Sequence, residues 1–168
     1  MRTLMRIFIT GITFVLMIVN ADAQQLSLAE IIEVGKMDST QLKNFSDSKG
    51  FQLKKLDVDS WKSFHEYQSN LDTTIRITKT FTKGKTLLSD ANPGMVHYYF
   101  SDKALIKDFK KEMKGTNFKY HKSDTTNHRG NFFIHNKYRT ANEEIDLVSQ
   151  QLPGHTATYA LIYYRRPN

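Results

Sequence analysis

Three runs near the C-terminus decide how this chain is read: NFFIHNKYR (131–139), EEIDLVSQ (143–150) and TATYALIYYRR (156–166), the last two separated by Pro153-Gly154. Each is short, rich in β-branched and aromatic residues, and bounded by turn formers, which is the pattern of consecutive antiparallel strands. A similar series lies upstream as WKSFHEYQ (61–68), TTIRITKTF (73–81) and MVHYYF (95–100), the last following Pro93-Gly94. Phe64-His65 aligns with Ile134-His135 at an offset of 70, and Ile75 and Ile77 align with Ile145 and Leu147 at the same offset. Each Pro-Gly leads into a strand with a Tyr-Tyr pair, Tyr98-Tyr99 and Tyr163-Tyr164. The sequence therefore reads as one sheet module written twice.

Alternation supports the strand assignment. In 73–81, Thr73, Ile75, Ile77, Lys79 and Phe81 fall on one side, and Thr74, Arg76, Thr78 and Thr80 on the other. Period two with one polar side describes a half-buried antiparallel strand. The last strand is apolar on both sides, so it is either central in a sheet or covered on both faces. FQLKKL (51–56) and FKYHK (118–122) add a strand at the start of each series, unless 51–55 is irregular and one sheet has three strands. The connection 83–92 has no counterpart of equal length in the second series and reads as a surface hairpin loop.

Helices precede each series. Ser27-Leu28-Ala29-Glu30 is a capping box, with Leu28, Ile31, Ile32 and Met37 at helical spacing. Asp38 or Ser39 can cap a second helix with Leu42 and Phe45 inward, and Gly50 can end it in the left-handed conformation. Ser101-Asp102 opens a third, striped by Leu105, Ile106, Phe109 and Met113 and ended by Gly115, with Lys110, Lys111 and Lys114 in its last turns. The expected fold is α+β: two related modules, each with its helical segments packed on an antiparallel sheet of three to four strands. Their expected bounds are 24–100 and 101–168.

Residues 1–23 read as a signal peptide. Arg2 and Arg6 precede an apolar run from Ile7 to Val19, and Ala21-Asp22-Ala23 supplies small residues for cleavage. The run is too short for a spanning helix, which needs about 20 apolar residues. Cleavage would leave an exported chain starting at Gln24, periplasmic or secreted, with no membrane anchor. With no cysteine there is no lipoprotein anchor, disulfide, thiol catalysis or Cys-type zinc site. Removing two arginines and one aspartate with the leader leaves 22 basic and 16 acidic residues. A moderate positive balance outside the cytoplasm points to an acidic macromolecule or a protein as partner, and away from nucleic acid.

The order of helices and strands resembles the β-lactamase-inhibitor-like architecture over most of residues 26–166. The likeness is one of topology, since the chain has no disulfides and its second module shows one helix where two are expected. It implies binding of other proteins across a sheet surface, and no site residue carries over from it.

Candidate functional residues follow from chemistry. Tyr67, Tyr99, Tyr138, Tyr163 and Tyr164 are interspersed on the strands with His97, Lys137, Arg139, Arg165 and Arg166. Tyrosine and arginine together compose protein-recognition surfaces, so Tyr67, His97, Tyr99, Lys137, Arg139, Tyr163 and Arg165 are the expected binding residues. Trp61 would anchor a core or an interface. His121, His128 and His135 recur every seven residues with Asp124 between the first two. A hairpin bringing His121 and His135 together could bind zinc or copper. His65-Glu66 lacks the second histidine of a zincin, and no nucleophile elbow, phosphate loop or dinucleotide fingerprint occurs. The expected function is therefore recognition of a macromolecule through the sheet faces without cofactor, and the alternative is an envelope enzyme or metal-binding protein using the His121–His135 region.

Overall fold

A computed structural model of the chain describes residues 25–60, 62–82, 95–151 and 157–166. The export segment, Trp61, the loop 83–92 and both Pro-Gly turns lie outside the described residues. The elements are α1 (Leu28–Lys36), α2 (Ser39–Ser48), β1 (Phe51–Val58), β2 (Lys62–Ser69), β3 (Arg76–Thr82), β4 (Val96–Phe100), α3 (Ala104–Lys114), β5 (Lys119–His128), β6 (Asn131–Arg139), β7 (Glu143–Gln151) and β8 (Thr158–Arg165).

The local signals explain the helix ends. Ser27 and Glu30 form a reciprocal capping box at α1, and Asp38 and Gln41 form another at α2. Gly50 takes φ of 76°, the left-handed conformation that turns the chain from α2 into β1. At α3 the side chain that accepts from the first turn is Asp102, whose Oδ1 bonds the Ala104 amide at 2.8 Å.

The expectation of two modules with separate sheets is corrected here. All eight strands form one antiparallel sheet in the order β1-β2-β3-β4-β8-β7-β6-β5. The two four-strand meanders join where β4 pairs with β8, from Val96 opposite Tyr163 to Phe100 opposite Tyr159. The reason lies in those two strands. Val96, Tyr98, Phe100, Leu161 and Tyr163 are buried on one face and Ala160 on the other. Left as the edges of separate sheets, they would expose apolar side chains and unpaired backbone groups, a combination that drives edge-to-edge pairing.

The offset of 70 is also corrected, to 71 between β2 and β6 (138 − 67) and to 68 between β3 and β7 (145 − 77). Both outer hairpins carry a bulge, between Leu53 and Lys55 in β1 and between Tyr120 and Lys122 in β5. Matching the bulges sets the row Leu53, Tyr67, Ile77, Tyr98 over the row Tyr120, Tyr138, Ile145, Tyr163. Tyr67 thus corresponds to Tyr138, an offset of 71. A shift of one residue reverses which face a side chain occupies, so His65 faces the helices and His135 faces away from them.

All three helices pack on one face. The core there joins Leu28, Ile31, Val34, Leu42 and Phe109 to Phe51, Tyr67, Ile77, Tyr98, Phe100, Ile145, Leu161 and Tyr163. α1 lies over β4 and β8. Gly35 allows that approach, because a Cβ there would sit 2.2 Å from the Tyr163 ring. Glu112 of α3 accepts from the Leu28 amide at 2.8 Å, holding α3 to the start of α1. At the other end of α1, Lys79 rises from β3 and donates to the carbonyls of Val34 (2.6 Å), Gly35 (3.0 Å) and Met37 (2.6 Å). A buried cation thus binds the carbonyls at the C-terminal end of α1, where the helix dipole favours positive charge. Burial pushes its amine down to about 8, against the pull of Asp38.

Candidate functional site

The second face of the sheet carries no helix among the described residues. Its side chains come from the alternate positions of each strand: Glu66 and Phe64 of β2, Arg76, Thr78 and Thr80 of β3, His97 and Tyr99 of β4, Ala160, Ile162 and Tyr164 of β8, Glu144, Asp146 and Val148 of β7, and His135, Lys137 and Arg139 of β6. Its central positions are nonetheless buried: Thr78, Glu144, Asp146, Val148 and Ala160. Their neighbours on the same face enclose them, and two adjoining hollows result. One, of about 430 Å³, lies among Phe64, Glu66, Arg76, Thr78, Met95, His97 and Tyr99. The other, of about 200 Å³, lies among His97, Tyr99, Phe133, His135, Val148 and Ile162. His97 and Tyr99 belong to both and form the ridge between them.

The ridge is fixed by its own hydrogen bonds. Burial lowers the His97 pKa and keeps the ring neutral at pH 7. Nδ1 then accepts from the Tyr99 hydroxyl (3.2 Å), and Nε2–H donates to Met95 Sδ (3.0 Å). The Arg76 guanidinium sits 4.9 Å from the Tyr99 ring centroid and 3.4 Å from Glu66 Oε1. Burial raises the Tyr99 pKa, with Arg76 and Thr78 opposing.

Across the β8 seam the polar groups are closely paired. His135 Nδ1 meets Asp146 Oδ2 at 2.7 Å, and His135 Nε2 meets Thr126 Oγ1 at 3.0 Å. In the tautomer with the proton on Nδ1, the ring donates to Asp146 and Nε2 accepts from the threonine. The other Asp146 oxygen, Oδ1, is buried without a hydrogen-bond partner. Glu144 accepts from both Arg139 and Tyr164. Burial alone would raise its carboxyl, and those two donors outweigh burial and hold it below the usual range. Arg139 Nη1 also donates to His121 Nε2 at 2.7 Å, and Lys122 pairs with Asp124 at 2.7 Å.

The expected binding residues separate by face. His97, Tyr99, Lys137 and Arg139 come together on the helix-free face. Tyr67 and Tyr163 lie in the core under the helices, with exposures of 1% and 0%. The Tyr163 hydroxyl donates to Glu143 at 2.7 Å, and burial with that bond pushes its pKa up to about 12. Arg165 is exposed at the end of β8, on the helix side beside Glu143 and Asn142. The expected metal ligands are also divided. Asp124 and His135 are cross-strand partners, His121 occupies the β5 bulge, and His128 stands at the hairpin tip opposite Asn131. Among the described residues no group of three metal-ligating carboxylate or imidazole side chains occurs.

Sequence reasoning missed Glu144, Asp146, Arg76 and Ile162. The signal for the carboxylates was present in EEIDLV, where Glu144 and Asp146 alternate with Ile145 and Leu147 inside an otherwise apolar strand. Among the described residues no helix is long and apolar enough to cross a membrane. No protein family, curated protein or solved structure matches this chain.

Proposed function

We propose that this is an exported, non-catalytic binding protein that receives a polypeptide partner on the helix-free face of its sheet. The observation that carries the reading is the pair of adjoining hollows sharing the His97–Tyr99 ridge, walled by Phe64, Phe133, Val148 and Ile162. A row of partly apolar depressions fits the successive side chains of a polypeptide. Rigid aromatic and arginine groups supply most of the energy in such contacts.

The charges favour a polypeptide over an anionic polymer. Much of the cationic charge on this face is already engaged: Arg76 with Glu66, Arg139 with Glu144, Lys55 with Asp57, Lys122 with Asp124. A polyanion gains affinity by neutralising basic groups, and these have intramolecular counterions. Binding is therefore expected to depend weakly on salt. Ile162→Lys and Tyr99→Ala should each weaken capture of the partner at least about ten-fold, while Arg165→Ala on the helix side leaves it unchanged. Equal affinity in all three variants would remove the assignment, and a steep loss of binding with salt would transfer it to an anionic polymer.

One observation favours a second reading, an envelope hydrolase. Thr126, His135 and Asp146 stand in the order hydroxyl, imidazole, carboxylate at hydrogen-bond distances, the arrangement that activates a nucleophile. Covalent labelling of Thr126 by a fluorophosphonate, lost on His135→Ala, would establish it. The absence of labelling leaves the cluster as a cross-strand polar network.

A further inference from the structure

Strand β1 ends the sheet, and among the described residues its strand neighbour is β2 alone. Among the described residues its outer edge therefore presents backbone donors and acceptors without a ladder. It also exposes Leu53 (45%), Leu56 (49%) and Val58 (58%), three of the six large exposed hydrophobics among the described residues. All three lie on the helix side of the sheet, where their cross-strand partners are Tyr67, His65 and Ser63. Lys55 and Asp57 alternate with them on the helix-free face and pair with each other at 2.8 Å. The bulge at Lys54 disturbs the first part of the strand, and 55–58 is regular.

We propose that two copies of this chain associate through antiparallel pairing of β1 with β1, with Leu56 on the two-fold axis. Symmetry restricts the choice of register. An axis perpendicular to the sheet places one residue opposite its own copy, since residues facing each other must share a face. An axis at Lys55 sets lysine against lysine, and one at Asp57 sets aspartate against aspartate. Axes at Leu53 or Lys54 fall in the bulge. An axis at Leu56 sets Lys55 against Asp57 of the partner subunit, twice, and packs Leu56 on its copy. Charge complementarity and apolar burial then agree, and opposite charges across a strand pair stabilise it where like charges do not. The dimer would be one continuous sheet of sixteen strands, extending the helix-free face across both copies.

The opposite edge is the less suited of the two. β5 carries the same spacing in Lys122-Ser123-Asp124, but its helix-side positions after the bulge are Ser123, Thr125 and Asn127. Pairing there would bury polar groups in place of Leu56 and Val58.

Sedimentation equilibrium of the purified protein from 1 to 200 µM tests the proposal, with circular dichroism confirming that each variant is folded. The expected result is a mass that doubles within this range. Lys55→Asp should weaken dimerisation about 30-fold, because two attractive contacts become repulsive. Leu56→Lys should weaken it about 100-fold. The double variant Lys55→Asp with Asp57→Lys restores complementarity and should return to within about three-fold of the parent. A monomer throughout the range overturns the proposal. So does a dimer insensitive to these changes, or one that Lys122→Asp disrupts and Leu56→Lys does not.

Discussion

Replacing Lys79 by methionine isolates the most unusual interaction in the core. The perturbation keeps the length of the aliphatic stem and removes the amine that bonds three carbonyls at the end of α1. Hydrogen bonds from a charged donor contribute about 1.5–3 kcal/mol each, so the three together supply roughly 6 kcal/mol. Against this stands the cost of burying the charge. The amine is lowered from 10.5 to about 8, and at about 1.4 kcal/mol per pH unit that is roughly 3.4 kcal/mol. The difference leaves Lys79→Met less stable by about 3 kcal/mol at pH 7. The same shift sets a pH dependence. Between pH 8 and 10.5 the unfolded chain holds a proton that the folded chain has released, so stability rises with pH, by about 1.4 kcal/mol per unit. Tyr98 and Tyr163, raised to about 12 chiefly by burial, act the other way. Their folded pKa exceeds the unfolded value near 10, so their contribution is lost as pH climbs above 10. Urea denaturation of both proteins from pH 7 to 10 reads the effect. The parent should gain about 2–3 kcal/mol over the variant between pH 8 and 10. Parallel stability curves across that interval would refute the reasoning.

Three further outcomes follow from particular contacts. Gly35→Ala forces a methyl group into the Tyr163 ring and should cost about 1–3 kcal/mol, read as a lower thermal midpoint. Asp146→Ala strips His135 of its Nδ1 partner and should cost about 1–3 kcal/mol in urea, whereas Asp146→Asn keeps an acceptor there and should cost less than about 1 kcal/mol. Intact mass of the protein recovered from the envelope or medium should correspond to a chain beginning at Gln24. A full-length mass would contradict the export reading of residues 1–23.

The elements were legible because their signals are local. Capping residues fixed the starts of α1 and α2, and alternation assigned β3 and its buried side. What sequence could not supply was which strands meet. β8 is apolar on both faces, which is compatible with a central strand or with a strand between two layers, and the pairing with β4 that selects between them joins residues 59 to 67 positions apart. The offset of 70 failed for a related reason. Counted from the matching bulges, the first hairpin runs 11 residues from Lys55 to its partner Glu66 and the second 15 from Lys122 to its partner Lys137, a difference that FQLKKL and FKYHK do not reveal. The binding residues divided because tyrosine serves both purposes. Tyr67 and Tyr163 carry hydroxyls at the rim of the core, Tyr99 carries one in a hollow, and composition cannot separate the two cases until the parity of each strand is known.

The central claim is that recognition occurs on the helix-free face. A photoreactive phenylalanine placed singly at Phe133, at Ile162, and at the exposed helix positions Lys43 and Lys110 tests it most directly in the intact cell envelope. The account predicts adducts to a polypeptide from 133 and 162 and none from 43 and 110. Adducts confined to the helix positions, or of equal yield at all four, would contradict it.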